Sequence, residues 1–392
     1  MDCVLSINAG SASVKLALCD CSKLERAVAS AKIDILSSKK SFVKYLANGD
    51  REVIDLDINK ENIAIIEEWL RAYDVNIIAI SHRVVHGGLK YGRQAIPLTG
   101  EVIAEIKKLA VLAPLHQYFA LEYIENIGRI LPKAQQFACF DTAFHRDIQK
   151  THRHFAIPRK FTDDGVIRYG FHGIAYEHVL KQLQRILPEK ANGRVIAIHL
   201  GNGCSACAMI DGKSYDTSMG FTAIDGLMMG TRCGSLDPGI IFFMMDNYKM
   251  SIKDVERVLY KESGLKGVSG ISNDVRELVE ANNEHANEAI NLFSYIALKE
   301  VFGLIGVLGG VDVIVFSGGI GENAGIVRSN ICSKMAWLGL DLDQNANNQN
   351  KQFISSASSK IAVCTVHVDE EQMMAYHVVN FFNGEKNAEF KG

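Results

Sequence analysis

The chain of 392 residues is longer than one ordinary domain and has about the length of two. Hydrophobic residues make up 48% and charged residues 22%, which predicts a globular protein with an ample core, and the net charge of −3 gives no support for binding to nucleic acid or anionic membranes. The nine cysteines are scattered and odd in number, and no basic and apolar leader is visible, so we expect a reducing, cytoplasmic setting.

The first predicted elements are two strands joined by a bend of small polar residues. The strands cover residues 4–8 and 13–19, and a glycine at the bend lets backbone N–H groups approach a phosphate closely. Hydroxyl groups, an amide oxygen and a lysine near one bend suit a Mg²⁺-nucleotide. The residues that we expect to contact the phosphates or the metal here are Asn8, Ser11, Ser13 and Lys15.

The next elements lead to an arginine and an aspartate at strand ends. Strands near residues 27–35 and 52–58, a helix near 61–73 and a strand at 77–80 precede Arg83, which we predict to lie in a loop. A planar guanidinium suits bidentate contact with a carboxylate or a phosphoryl group. Helices near residues 100–112 and 116–131 follow, and a strand at 136–139 delivers Asp141 to its end.

The second half of the chain begins with a copy of the first hairpin. A strand, a glycine-containing bend and a second strand recur between residues 194 and 210. A constant offset of 191 places His199 on Asn8 (199 − 8 = 191) and Ala206 on Lys15. The repeat therefore predicts a duplicated domain whose two copies hold one polyphosphate.

The remaining elements complete an α/β pattern. We predict a hairpin turn at Asp211 and Gly212, helices across residues 251–308, a strand at 311–316, a turn at 317–323 that opens another helix, a strand at 360–366 and a last helix at 370–383. Strands followed by alternating helices and strands in each half indicate mixed sheets flanked by helices. We expect the last helix to pack back on the first domain.

Further side chains suit phosphoryl chemistry. Arg232 lies in a glycine-rich loop, which favours a lined cleft over a solvated surface arginine. Four histidines lie in short motifs without the spacing of a zinc site, namely His116, His145, His172 and His199. A histidine can serve phosphoryl transfer as a donor to a phosphoryl oxygen or as a nucleophile, and the residues alone leave both roles open.

Two patterns imitate other sites. Gly319, Gly321 and Ala324 have the spacing of a dinucleotide fingerprint, but too little chain follows to complete a dinucleotide-binding sheet. A dehydrogenase would rest on that fingerprint alone. Cys204 and Cys207 have no second cysteine pair of the kind that a zinc site requires.

A series of motifs, in order along nearly the whole chain, resembles the acetate kinase family. They are residues 8–15, 82–88, 114–116, 140–145, 169–173, 199–203, 216–220, 226–232, 237–238, 319–323 and 370–371. The resemblance implies an α/β, duplicated actin-like (ribonuclease H-like) fold of two domains with mixed sheets flanked by helices. It implies an N-terminal lobe of residues 1–144 with 372–392, and a C-terminal lobe of residues 145–371 with the nucleotide site and a homodimer interface. The active site is then expected in the cleft between the lobes.

The resemblance also implies a reaction and a set of site residues. The reaction is reversible transfer of the ATP γ-phosphoryl group to acetate, giving acetyl phosphate and ADP, with Mg²⁺ or alternatively Mn²⁺. Asn8 and Glu370 serve the metal, Asp141 is the essential acidic residue, and His172 and Arg232 stabilise the transition state. Implied substrate contacts are Arg83, Val85, Leu115, His116, Phe171 and Ala223. Implied nucleotide contacts, besides the first hairpin, are His199, Leu200, Gly201, Asn202, Gly203, Asp274, Val275, Arg276, Gly319, Ile320, Gly321, Glu322 and Asn323.

The chemistry of the reaction narrows the role of the aspartate. A carboxylate acceptor is already ionised at pH 7 and needs no general base. The main obstacle is bringing an anion up to a polyanion, which arginines, a histidine and Mg²⁺ relieve. We therefore interpret Asp141 as an orienting or metal-shell group.

Departures from the family pattern bear on the acyl group that the site accepts and on its affinity for the nucleotide. They are Ala12 for a serine, Gln117 and Tyr118 for Asn-Pro, Ala223 for a proline and Asp369 for an asparagine. Val85 resembles the larger pocket residue of acetate kinases. One methylene group discriminates by only about 1–3 kcal/mol, so we expect overlap between acetate and propionate.

Two alternative functions stay open at this stage. One is a propionate or short-chain fatty acid kinase with the same mechanism. The other is an actin- or chaperone-like ATPase switch, which would keep both hairpins but would not need Arg83 and Arg232. Formation of acyl phosphate from ATP and any short acid would distinguish a kinase from an ATPase switch, and the acid that reacts best would distinguish acetate from propionate as the substrate.

Overall fold

The computed structural model describes residues 1–10, 13–36, 39–45, 50–92 and 94–389. The chain forms two compact units, Met1–Arg146 with Asp369–Gly392, and Asp147–Val368. Each unit is built around one β-sheet. The predicted phosphate contact Ser11 and the family departure at Ala12 lie outside the described residues.

The first unit contains a mixed sheet of eight strands. The strands are β1 (Asp2–Ala9), β2 (Ser13–Asp20), β3 (Ala27–Leu36), β4 (Lys39–Tyr45), β5 (Arg51–Leu56), β6 (Asn76–Val84), β7 (Ile96–Pro97) and β8 (Gln135–Phe140). They lie in the order β5-β4-β3-β2-β1-β6-β8-β7. Strand β1 is buried from Cys3 to Asn8, because it is central in the sheet and covered on both faces.

The second unit contains a mixed sheet of five strands. The strands are β9 (Val195–Leu200), β10 (Cys204–Ile210), β11 (Lys213–Thr217), β12 (Val313–Ser317) and β13 (Ala362–Val366). They lie in the order β11-β10-β9-β12-β13. The predicted turn between β10 and β11 is confirmed, with left-handed Asp211 (φ 52°) and Gly212 (φ 67°).

The two sheets share one arrangement, which confirms the predicted duplication. In β3-β2-β1-β6-β8 and in β11-β10-β9-β12-β13, three antiparallel strands are followed by two parallel ones. The register at the two bends differs, since Asn8 pairs with Lys15 but His199 pairs with Ser205. The second bend is one residue shorter (15 − 8 = 7; 205 − 199 = 6). The predicted match of Ala206 to Lys15 is therefore wrong, and Ser205 takes that place.

Helices cover the sheets in both units. The first unit holds α1 (Asn62–Leu70), α2 (Gly100–Lys108), α3 (Pro114–Ile130) and α15 (Glu370–Glu389). The second unit holds α4 (Lys150–Arg153), α5 (Arg159–Asp163), α6 (Gly173–Ile186), α7 (Pro238–Asn247), α8 (Ile252–Arg257), α9 (Gly264–Ser269), α10 (Val275–Ala281), α11 (Glu284–Leu308), α12 (Gly318–Asn323), α13 (Gly325–Cys332) and α14 (Gln344–Asn348). Single 3₁₀ or π turns lie at Leu109–Leu112, Ala143–His145, Val258–Glu262 and Ser333–Leu338.

The last helix, α15, returns to the first unit as predicted. It packs against β1, β2, β6 and β8. Phe137 of β8 meets Phe381 and Phe382 edge-on, with ring centroids 5.1 and 5.6 Å away. At the start of the helix, Ser6 of β1 donates a hydrogen bond to the carbonyl oxygen of Glu371 (2.7 Å). The C-terminal helix therefore places two glutamates beside the end of β1.

Helix α11 is the long apolar helix of the second unit. It is the one helix of the described chain whose length and mean hydropathy (1.5) would suit a membrane span, a test that core helices also pass. Phe293 and Val301 are buried, and the helix packs against α9, α13 and β10. Asn283 caps its start by accepting the N–H of Ala286, and left-handed Gly309 (φ 69°) ends it. Of the apolar window of α11, 39% is buried, so one face of the helix packs into the second unit.

Two local predictions need correction. Arg83 lies inside β6 and not in a loop, because β6 continues to pair with β8 as far as Val84, which lies opposite Phe140. The predicted turn at residues 317–323 is mostly the helix α12. Its first residue, Gly318, has φ 78°, and a Cβ there would lie 2.6 Å from the carbonyl oxygen of Leu200. Glycine therefore lets this helix begin directly against β9.

Candidate active site

Arg83 and Asp141 form a buried ion pair at the ends of two parallel strands. Arg83 is the penultimate residue of β6, and Asp141 directly follows β8. The Arg83 Nη2 and Nε atoms donate to Asp141 Oδ2 at 2.6 and 3.0 Å. The Asp141 side chain is 1% exposed and that of Arg83 is 19% exposed. The pair holds the guanidinium in one plane at the edge of the sheet.

Asn8 links this pair to the C-terminal helix. Its Nδ2 atom donates to Glu370 Oε2 (2.8 Å) and to Glu371 Oε1 (2.7 Å), while its Oδ1 accepts a hydrogen bond from Arg83 Nη1 (3.1 Å). Arg83 Nη1 also lies 3.6 Å from Glu370 Oε2. The structure thus brings together the predicted residues Asn8, Arg83, Asp141 and Glu370.

Charges around this cluster support one another. Burial alone would lower the pKa of Arg83, but the carboxylates of Asp141 and Glu370 outweigh it and raise that pKa above its ordinary value. The Glu371 carboxylate raises the pKa of Lys15, whose side chain still reaches solvent. Burial raises the pKa of Glu371, although Lys15 opposes that effect. Two cations are therefore held charged next to the first hairpin.

The donor atoms of this cluster fit magnesium. Mg²⁺ prefers oxygen ligands and usually takes one or two carboxylates with water and phosphate oxygens. Glu370 offers a carboxylate, which accepts from Asn8 Nδ2, and Asn8 offers an amide oxygen, which here accepts from Arg83 Nη1. In the described ranges, no three His, Cys, Asp or Glu side chains form a metal cage. The residues therefore suit a metal that shares its shell with a substrate.

The loop after β6 is held by the start of α3 and by the end of β8. Gln117, fully buried, accepts the N–H of His86 (3.2 Å) and donates to its carbonyl oxygen (2.9 Å). The N–H of Gly87 donates to Thr142 Oγ1 (3.0 Å). These bonds set the position of Val85, the predicted acyl-pocket residue, which is buried.

The other predicted substrate contacts are divided between the units. His116 lies half-buried at the start of α3, and the side chain of Leu115 lies outside the described set. In the second unit, Phe171 is fully buried and the carbonyl oxygen of Ala223 accepts a hydrogen bond from Arg232 Nη1 (2.9 Å).

In the second unit, the predicted histidines lie side by side at the end of the sheet. The His172 and His199 rings have centroids 4.9 Å apart. His199 Nδ1 lies 3.2 Å from Ser317 Oγ on the neighbouring strand β12. A Cβ at Gly203 would lie 3.0 Å from His172 Nε2 and 3.9 Å from Arg232 Nη1. Four predicted site residues therefore lie close together, namely His172, His199, Gly203 and Arg232.

The glycine-rich segment of α12 follows the same sheet edge. Within it, Asn323 Nδ2 donates to the carbonyl oxygen of Gly319 (2.9 Å), and Glu322 pairs with His367 (2.8 Å). The carbonyl oxygen of Gly321 accepts from the buried Arg328 (2.8 Å). The helix therefore begins beside Leu200 and is held by the hydrogen bond from Arg328.

Asp274 and Arg276 hold the start of α10. Asp274 accepts the N–H of Arg276 (2.8 Å), and their side chains form a salt bridge (2.5 Å) in which Arg276 is 84% exposed. Val275 between them is buried. Of the predicted nucleotide contacts here, Arg276 has the most exposed side chain, while that of Asp274 is 30% exposed.

Several partners of these groups have no signal in the sequence. Glu371 lies in a motif that resembles the family, but its contact with Asn8 joins residues far apart in the chain. Ser205 Oγ lies 2.8 Å from His172 Nδ1 and 2.5 Å from the hydroxyl of Tyr176. No local sequence signal identifies Ser205, because the register that places it is set by the pairing of β9 with β10. The cysteines of the second hairpin behave as expected of core residues, since burial raises the pKa of Cys204 and of Cys207 to about 12.

Comparison with known proteins gives consistent results. The model of the Acetokinase family matches residues 3–376. The acetate kinase of Methylocella silvestris is 42% identical over 393 residues, which covers 96% of this chain and 97% of that protein. Two crystal structures are also similar. The acetate kinase of Porphyromonas gingivalis has a TM-score of 0.86 and 33% identity, covering 97% of this chain and 100% of that one. A propionate kinase of Francisella tularensis has a TM-score of 0.88 and 36% identity, covering 96% and 99%. The chain therefore belongs to the Acetokinase family.

Proposed function

We propose that this protein is an acetate kinase, which transfers the γ-phosphoryl group of ATP to acetate and catalyses the reverse reaction. The observation that carries the proposal is the Arg83 guanidinium, which is oriented by Asp141 at a buried strand end. A guanidinium fixed in this way presents a planar site for a carboxylate. Membership of the Acetokinase family supports the same activity.

The chemistry assigns roles to the charged residues. An acetate oxygen attacks the γ-phosphorus, and the bond from that phosphorus to the bridging oxygen breaks, so the electron pair leaves with ADP. Arg83 binds the acetate carboxylate, while Asp141 orients Arg83 and removes no proton. Arg232 and His172 stabilise the charge on the transferring group. The ion pair between Asp141 and Arg83 supports this orienting role.

We also propose that the enzyme uses Mg²⁺, with Mn²⁺ as an alternative. Asn8 and Glu370 would hold the metal, which when bound neutralises charge on the nucleotide phosphates. Lys15 and Ser13 serve the phosphates in the first unit. In the second unit the nucleotide contacts are residues 199–203, 274–276 and 319–323, with His199, Arg276 and Asn323 as polar or charged members.

The test is acyl phosphate formation from ATP and Mg²⁺ with a series of short acids, trapped with hydroxylamine. We expect acetyl hydroxamate in wild-type reactions and a loss of at least about 100-fold in kcat/KM for acetate in Arg83→Ala. Absence of hydroxamate with every acid would refute the kinase.

A second candidate is a propionate kinase with the same mechanism. The observation in its favour is the similarity to the Francisella tularensis propionate kinase. Val85 favours acetate, since it is the larger pocket residue. A higher kcat/KM for propionate than for acetate in the same assay would reassign the substrate.

A homodimer and a cytoplasmic setting complete the proposal. Helix α7 carries six consecutive apolar residues, 240–245, and none of its residues is buried within the chain. Phe242 is 64% and Phe243 is 53% exposed, so a second copy of the chain is the partner that we propose for this face. The net charge of −3 supports a protein without nucleic-acid or membrane partners.

A further inference from the structure

His172 is held in an unusual backbone conformation next to two hydroxyl groups. It precedes α6 with φ 57° and ψ 25°, a left-handed conformation that is uncommon for residues other than glycine. Its Nδ1 atom lies 2.8 Å from Ser205 Oγ on β10, and the hydroxyl of Tyr176 lies 2.5 Å from the same Oγ. Ser205 therefore stands between the phenol and the imidazole.

The acidity of the two hydroxyl groups decides which one donates. The phenol of Tyr176 is the stronger acid and hence the better donor of the two. Tyr176 is fully buried, which raises its pKa well above 10 and keeps its proton in place. Tyr176 therefore donates to Ser205 Oγ. The single proton of Ser205 is then directed to His172 Nδ1, which accepts it.

The other ring nitrogen points to the meeting place of the phosphate-binding groups. His172 Nε2 lies next to Gly203, where a Cβ would come within 3.0 Å of it, and Arg232 Nη1 lies within 3.9 Å of that same position. A neutral imidazole that accepts at Nδ1 carries its proton on Nε2. A protonated nitrogen has no lone pair for attack on phosphorus.

We propose that Ser205, ordered by Tyr176, is a positioning residue that directs its hydroxyl proton to His172 Nδ1 and so selects the tautomer of His172 with its proton on Nε2. That tautomer has an N–H at Nε2 for the charge-stabilising role that His172 has in the proposed function. This inference rests on the proposed kinase function and adds to it the residues that set the tautomer of His172. The two hairpins then differ in role, because Ser205, which orients His172, occupies in the second hairpin the register position that Lys15 has in the first.

The tautomer can be read directly by long-range ¹H–¹⁵N NMR of histidine-labelled full-length protein without substrates, since protonated and unprotonated ring nitrogens resonate far apart. His172→Gln identifies the His172 signals. We expect the wild type to show an unprotonated Nδ1 and a protonated Nε2. In Ser205→Ala and in Tyr176→Phe, we expect a part of His172 to move to the Nδ1-protonated form.

Kinetics and a matched variant separate positioning from a general loss of structure. We expect Ser205→Ala to lower kcat about two- to tenfold, the effect of one neutral hydrogen bond, with the KM for acetate within about twofold. Ser294 of α11 is equally buried and donates to the carbonyl oxygen of Ile290 (2.9 Å). Ser294→Ala should leave kcat and the His172 signals unchanged, and the thermal midpoint of each variant reports its folding.

A protonated Nδ1 in the wild type would overturn the proposal. So would a folded Ser205→Ala with wild-type His172 signals and kcat. Because the spectra need no substrate, failure of this inference is distinct from failure of the kinase function, which the absence of acyl phosphate would show.

Discussion

The Arg83–Asp141 and Arg194–Asp312 pairs have similar geometry but different surroundings. Arg83 and Asp141 form their pair with side chains 19% and 1% exposed, whereas Arg194 and Asp312 are 39% and 34% exposed. Removing one partner of a buried pair leaves an uncompensated charge, while an exposed pair contributes about 0–1 kcal/mol. Of these two pairs, the buried one contains the guanidinium that we propose to bind the substrate carboxylate.

The residue-scale prediction concerns Asp141→Asn. The change keeps the size of the side chain but removes the charge that orients Arg83, so we expect kcat/KM for acetate to fall about 10²-fold at saturating Mg²⁺. Steady-state hydroxamate assays measure it, with Asp312→Asn as the control that should keep full activity. Nearly full kcat in Asp141→Asn would contradict the orienting role.

A second prediction at this scale concerns buried histidines of the first unit. Burial lowers the pKa of His82 and of His86 from 6.5 to about 4. The unfolded chain therefore binds more protons, so the stability they contribute is complete above pH 6.5 and is lost as the pH falls towards 4. Each histidine adds up to about 1.4 kcal/mol per pH unit to that slope. We expect the free energy of unfolding of the first unit to rise between pH 4.5 and 6.5.

Urea unfolding followed by tryptophan fluorescence measures this slope. The chain has two tryptophans, buried Trp69 in α1 and exposed Trp337 in the second unit, so a Trp337→Phe background makes Trp69 the reporter. His82→Gln should remove about half of the slope, and the exposed His285→Gln should not change it. An unchanged slope in His82→Gln would show that His82 does not titrate in this way.

At the scale of elements, the start of α3 controls the loop that follows β6. Gln117 makes two hydrogen bonds to the backbone of His86, next to the predicted pocket residue Val85. This glutamine is one of the departures from the family pattern. The contact explains how a longer side chain on α3 can be accommodated, because it reaches the loop backbone.

The element-scale prediction is therefore made for Gln117→Leu. It leaves a buried N–H and a buried carbonyl group without these partners, so we expect a loss of about 1–3 kcal/mol in unfolding free energy. We also expect a lower ratio of kcat/KM for acetate over propionate, because Val85 is less firmly placed. Tyr118→Ala, at an adjacent side chain that is 64% exposed, is the control. An unchanged ratio together with unchanged stability would contradict this role.

At the scale of the whole molecule, features that local sequence patterns specify could be predicted, whereas contacts between distant parts of the chain could not. The duplicated hairpin was predictable because apolar runs and glycine bends are local signals. The extent of β6 around Arg83 and the register that selects Ser205 were not, since each depends on pairing with a separate strand. The contact of Asn8 with Glu371 spans the chain and has no local signal either.

The exposed face of α7 leads to a prediction about assembly. We expect the wild type to sediment at twice the 43.2 kDa of one chain. Phe242→Glu should shift the protein to the monomer, because a charge would be buried without a partner in the dimer. Trp337→Ser, which removes an exposed aromatic side chain elsewhere in that unit, should remain dimeric. A monomeric wild type would contradict the proposed interface.

The central claim is that the chain transfers a phosphoryl group to a carboxylate. The most direct measurement is ³¹P NMR of the protein with ATP, Mg²⁺ and acetate. We expect acetyl phosphate and ADP to accumulate in equal amounts, and ATP to form when the protein is given acetyl phosphate and ADP. ADP accompanied by inorganic phosphate alone, or no turnover in either direction, would contradict it.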